Sequence, residues 1–353
     1  MKRRITYLDL IKLIALIFVC VSHVYQRIVP NAINTKLFEF LYSLHMALFM
    51  LVGGILVKKT TSFKELGKYI LKLMLSYLFP AILFTLITVL IVPNYKNHDI
   101  LYWFKEYVVR TDTFYWYFIS AFIINAFLAF SYTASNKIFK KPYFSFPLIA
   151  LFNALFIFIL VILYKQLGRE VLALDLTLFY YFIGAVGFIT YYIHELVEKT
   201  NKALFIRLIV LGITLASYIT GFIMLRSWVK MTNFLIDDYH FIWYLVTSTA
   251  GAIATYIISM LLVRIKVIDR ASIYGKYSKE FYLLHVLFLR IITPYVAKIS
   301  GFTLYSVVFI ICYSLVILIS TLAISVLLNK NKYISLALFG NLSSFKKPQP
   351  NNE

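Results

Sequence analysis

Ten apolar stretches recur along the chain, each close to 20 residues and separated by short polar loops. They fall at roughly 7–28, 37–57, 69–92, 114–133, 144–164, 174–193, 204–225, 240–263, 279–298 and 303–328. A hydrocarbon core about 30 Å thick needs about 20 residues of α-helix to cross it. The pattern therefore predicts an all-α, polytopic membrane bundle of about ten transmembrane helices. Residues 1–330 form one integral membrane domain in this reading, and 331–353 a short polar cytoplasmic tail expected to be disordered. The first stretch follows a basic start, Lys2 to Arg4, as a secretory signal would. Its apolar run is too long and lacks a small-residue cleavage site before His23, so a retained first span is expected.

Composition agrees with this reading. Of 353 residues 61% are hydrophobic, mean hydropathy is +0.82 and the formal charge is +20. A soluble domain is about half apolar. The positive charge raises nucleic acid as a partner, but the cations sit in short loops between spans. About twice as many loop lysines and arginines fall on the N-terminal side as on the other, which the positive-inside rule explains and which puts both termini in the cytoplasm. Cys20 and Cys312 both lie inside spans, so neither a disulfide framework nor zinc spacing is present. Phosphate-loop, Ser-His-Asp and glycosidase-type carboxylate patterns are also missing, and no metal is expected. The expected partner is the lipid bilayer, not nucleic acid.

Polar residues inside the apolar stretches change the picture most. The first span carries Asp9, Lys12 and His23. A titratable side chain at membrane depth is costly and defaults to a functional hypothesis. Lys12 and His23 are eleven positions apart, which at about 100° per residue returns them to one helix face. They are separated by about 16 Å along the axis. One face thus presents a cation near the cytoplasmic surface and an imidazole toward the other side. A histidine at that depth suits proton removal from a hydroxyl. The bland alternatives are an Asp9–Lys12 structural pair and an interhelical hydrogen bond for the imidazole. His45 begins the second span at a depth similar to His23 and either orients it or polarises a carbonyl. Glu280 and His285 begin the ninth span just inside the cytoplasmic boundary, near Lys12 in depth and far from His23. Gly53, Gly54, Gly184 and Gly187 permit close helix approach.

Two outer loops, 93–117 and 226–243, interleave aromatics with both signs of charge. Tyrosine and tryptophan at span ends are commonly interfacial anchors. Aromatic platforms beside carboxylates also suit sugar rings, which gives an extracytoplasmic glycan as the sharper reading.

Four stretches together resemble the membrane-bound acyltransferase-3 family, whose members move acyl groups onto surface carbohydrates. YLDLIKLIALIFVCVSH, from Tyr7 to His23, resembles its first-span signature of an acid, a base, ten intervening residues and then a histidine. HMALFMLVGGIL from His45, FYWYFISAFI from Phe114 and IYGKYSKEFYLLHVLF from Ile273 resemble its second, fourth and ninth spans, with a weaker match at FYYFIGAVG. Lys12 stands where the family commonly has arginine, which loses bidentate phosphate geometry. Ala47 stands where proline is usual, and Gly53 where serine is.

The resemblance implies an O-acyltransferase with His23 as catalytic base and Lys12 as its basic partner, and His45 is expected beside them as a second catalytic residue. It implies acyl-CoA as donor substrate, acetyl-CoA foremost and succinyl as the other candidate. The expected donor-binding set is Lys12, Asp9, Glu280 and His285. The expected acceptor-binding set is Tyr115, Trp116, Tyr117, Asp237, Asp238 and His240. The setting is the multi-pass cell membrane of a bacterium, with a cell-surface carbohydrate acceptor and association with glycan-synthesis machinery. The alternatives are a polysaccharide exporter or flippase and an accessory subunit of a glycan synthase.

Overall fold

The computed structural model describes residues 5–91, 101–103, 115–139, 142–168, 171–224, 238–292 and 304–342. Two antiparallel helices form its centre, α1 (Thr6–Ile28) and α2 (Lys36–Ile55), joined through a 3-10 turn at Ala32–Asn34. Thr35 starts α2, its hydroxyl accepting from the Phe38 N–H at 3.3 Å, as an N-cap residue does. Next come α3 (Phe63–Leu73) and α4 (Phe79–Ile91), linked by a π turn at Met74–Leu78 into one span. Ser62 caps α3, accepting from Glu65 N–H at 3.3 Å. The series continues with α5 (Trp116–Ile138), α6 (Pro142–Leu167), α7 (Leu174–Glu198), α8 (Ala203–Met224) and α9 (Asp238–Leu262). A short α10 (Lys266–Ala271) and a 3-10 segment (Ser272–Tyr277) lead into α11 (Ser278–Ile292). The chain ends with α12 (Leu304–Lys330) and α13 (Lys332–Phe339).

Among the described residues nine helical segments are long and apolar enough to cross a membrane. The remaining expected span, 279–298, corresponds to α11, of which 15 residues are described. The protein is thus an all-α multi-pass membrane bundle.

The buried centre consists of α1, α2, α7 and α9, with α11 and α12 closing one side of α1. Helices in lipid gain little from burying apolar carbon and associate by close packing of small residues instead. The crossing of α2 and α7 shows how. A Cβ at Gly54 would collide with the carbonyl oxygen of Gly184, and one at Gly187 with that of Leu51. Only glycine lets the two backbones approach this closely.

The expected disordered tail is corrected over its first part. Asn331 caps α13, its side-chain oxygen accepting from the N–H groups of Tyr333 at 2.9 Å and Ile334 at 3.2 Å. Phe339 at the end of this helix is fully buried and stacks on Phe84 of α4. The amphipathic turn and its cap make residues 331–342 part of the bundle.

Candidate active site

The two ends of α1 carry different chemistry. Toward its N-terminal end Lys12 pairs with Asp9 at 2.6 Å, one helical turn apart. Lys12 also lines a cavity of about 310 Å³, together with Lys72 of α3 and Lys279 of α11. Its apolar and aromatic wall includes Phe49, Tyr77, Tyr117 and Tyr282. Three ammonium groups against such a wall suit a ligand with anionic groups at one end and an uncharged arm at the other.

Farther along α1, His23 meets two other imidazoles. Its ring centroid lies 6.3 Å from that of His45 and 5.6 Å from that of His285. Both neighbours are buried, whereas His23 keeps part of its surface accessible. His45 Nδ1 faces the Leu41 carbonyl at 2.9 Å, and His285 Nδ1 faces the Phe281 carbonyl at 3.2 Å. A carbonyl only accepts, so each Nδ1 carries the proton and each neutral ring keeps its lone pair on Nε2. This tautomer prevents neutral His45 from polarising a thioester carbonyl, one of the two roles expected for it. His23 is oriented by Tyr42, whose hydroxyl donates to Gln26 Oε1 at 2.8 Å and lies 3.4 Å from His23 Nδ1. With its own proton used on Gln26, the Tyr42 oxygen accepts from His23 Nδ1–H, leaving Nε2 of the one accessible imidazole as a base.

The expectation that His285 lies far from His23 is corrected. It placed the membrane boundary at the start of α11. In the structure the chain is already at the level of Asp9 at Gly275, where a Cβ would collide with the Asp9 carbonyl oxygen. The 3-10 turn before α11 then rises about 2.0 Å per residue. Starting this far inside, α11 brings the His285 ring to 5.6 Å from that of His23. Glu280 also departs from the expected donor-binding set. Its carboxylate accepts from Asn341 Nδ2 at 2.7 Å, which turns it to the C-terminal segment while Lys279 faces the cavity.

The aromatics at the start of α5 lie deeper than an outer-loop position would put them. Tyr115 is fully buried and its hydroxyl donates to the Leu283 carbonyl at 3.2 Å. Trp116 stacks on Tyr180, with centroids 5.5 Å apart. Tyr117 belongs to the wall of the lysine cavity, and its ring is 5.0 Å from that of Tyr282. The Tyr282 ring is in turn 5.1 Å from His285. These rings join the lysine cavity to the histidine layer. Asp237 lies outside the described residues, and Asp238 and His240 belong to the first turn of α9.

Sequence reasoning passed over Tyr42, Gln26, Tyr282, Lys72 and Lys279 as site residues. Tyr42 sits three before His45 and Gln26 three after His23, and that helical spacing puts each on its histidine's face. Lys72 is one turn past Lys68, already within an apolar run.

No characterised protein and no solved structure matches the chain. A family model described as an acyltransferase domain, that of acyltransferase-3, matches residues 5–330, from the start of α1 to the end of α12. With nearly the whole bundle inside that match, the chain belongs to the acyltransferase-3 family and is a membrane acyltransferase.

Proposed function

We propose that this protein moves an acyl group from cytoplasmic acyl-CoA to a hydroxyl of an extracytoplasmic glycan at a bacterial cell membrane, acetyl being the foremost acyl group. The observation that carries the reading is the run of packed aromatic rings from the three-lysine cavity to the accessible imidazole of the histidine layer. The donor's phosphates lie among Lys12, Lys72 and Lys279, and its uncharged arm follows Tyr117 and Tyr282 toward His23. The axial rise from Lys12 to His23 of about 16 Å suits an extended pantetheine arm.

The reaction then needs one base. The acceptor hydroxyl oxygen attacks the thioester carbonyl carbon while His23 Nε2 takes its proton. The tetrahedral intermediate collapses, the C–S bond breaks, and the leaving thiolate recovers that proton from His23. Ester and free thiol are the products, and the histidine is unchanged. Asp9 fixes Lys12, and Tyr42 with Gln26 fixes the His23 ring. His45 and His285, buried beside it, pack against the His23 ring. The acceptor approaches from the end of α1 that carries Gln26, where glycan-synthesis machinery would deliver it.

The test compares ester-linked acyl groups on surface glycan from cells expressing wild-type or His23→Ala protein at matched membrane levels. Loss of esters with glycan still on the surface supports the reading. Unchanged esters remove His23 as the base. Loss of glycan itself, with acylation per sugar unaltered, points to export instead.

A further inference from the structure

The lysines of the cavity are held in different ways. Lys12 shares its charge with Asp9. Lys279 instead donates to two uncharged oxygens, the Phe339 carbonyl and Asn341 Oδ1, each at 2.6 Å. An ammonium has three N–H donors, so these two bonds orient Lys279 through uncharged partners and keep one donor for a ligand. The other end of the Asn341 amide, an NH2 with two donors, lies 2.7 Å from Glu280 Oε1 and 2.9 Å from both Asn329 Oδ1 and Ser335 Oγ. One amide thus stands between the ammonium of Lys279 and the carboxylate of the next residue. The segment bearing it is anchored twice more, by the buried Phe339 ring and by a hydrogen bond from Ser76 Oγ to the Gly340 carbonyl at 3.2 Å. Ser76 itself lines the cavity. Phe339, Gly340 and Asn341 all lie beyond residue 330, where the family match ends.

We propose that the segment after the family domain completes the donor site, with Asn341 as a positioning residue that presents Lys279, beside Lys72, to the donor's phosphates. The inference rests on the acyl-CoA reading above and adds a residue outside the matched domain to it. Neutral acceptors suit this task better than an acid would. A carboxylate in place of the amide would pair with Lys279 and oppose the incoming phosphate, much as Asp9 already offsets Lys12.

The experiment measures binding of coenzyme A, and of pantetheine without its nucleotide and phosphates, to the purified full-length chain. The variants are Asn341→Ala, Asn341→Asp and Lys279→Met, each checked for a monodisperse fold. In Asn341→Ala the Kd for coenzyme A is expected to rise about tenfold, the size of one charge-assisted hydrogen bond, with pantetheine binding unchanged. Asn341→Asp is expected to weaken coenzyme A further. In a Lys279→Met background the alanine change adds nothing, because its effect runs through that lysine. An equal loss for both ligands, or a loss that persists without Lys279, assigns Asn341 a structural role only and overturns the proposal. Wild-type protein that does not distinguish coenzyme A from pantetheine overturns the donor reading and this inference together. Wild-type discrimination that Asn341→Ala leaves intact overturns this inference alone.

Discussion

Helices α2 and α8 are both apolar enough to span a bilayer, yet they do opposite work. The α2 span has a mean hydropathy of 1.6 and is 83% buried, while the α8 span has 2.0 and is 0% buried. The most apolar spans, in α6 and α12 at 2.8, are 11% and 22% buried. In water the apolar helix goes inside. Here the surrounding lipid is as apolar as leucine, and the helix with polar side chains is the one that needs protein around it. Buried in α2 are Glu39, Ser43 and His45. In α8 the hydroxyl of Thr214 is spent within the helix, on the Val210 carbonyl at 2.8 Å.

Removing chemistry from the interior is the sharpest test of that contrast. His23→Ala should lower acyl transfer by about 10²–10⁴-fold, the range of a lost general base, with membrane levels of the protein unchanged; quantifying glycan esters checks it. Gly54→Leu should come next, through the fold and not the reaction. Its side chain has no room beside the Gly184 carbonyl, so the yield of monodisperse protein in detergent should fall steeply. Lys72→Ala should raise the KM for acetyl-CoA about tenfold with kcat nearly unchanged, as initial rates over a donor series will show. Tyr42→Phe should cost a few-fold in kcat, because the His23 ring keeps its place but loses its oriented tautomer. The smallest effect belongs to the lipid face. Gly212→Ala in α8, with nothing within 4 Å of the added Cβ, should leave yield and rates within error. A marked loss there would mean that α8 is an interface and not a lipid-facing rim.

The spans were legible in the sequence because twenty apolar residues have few alternatives. That Lys12 and His23 share one unbroken helix was legible too, since the apolar run from Thr6 to Ile28 has no helix breaker. His285 was misplaced because counting began at a boundary the chain does not have; the 3-10 turn before α11 is already packed against Asp9. Lys279 was read as a loop charge, because a rule about which side cations occupy does not say which of them turn inward. The order after residue 330 had a local signal in Asn331 and Gly340, which bracket eight residues as N-cap and C-terminal glycine do. That signal is short-range and easily outweighed by a polar composition.

The rings of Tyr117, Tyr282 and His285 have a further consequence for the cell's energy supply. A path from one membrane face toward the other is a route by which protons and small ions could run down the membrane potential, at about 2.3 kcal/mol per charge per 100 mV. Where the lysine cavity meets the histidine layer, aromatic carbon fills the space, with Tyr117 and Tyr282 centroids 5.0 Å apart and His285 5.1 Å from Tyr282. The side chains that would guide a donor arm would, packed in this way, also close that route to ions when none is present.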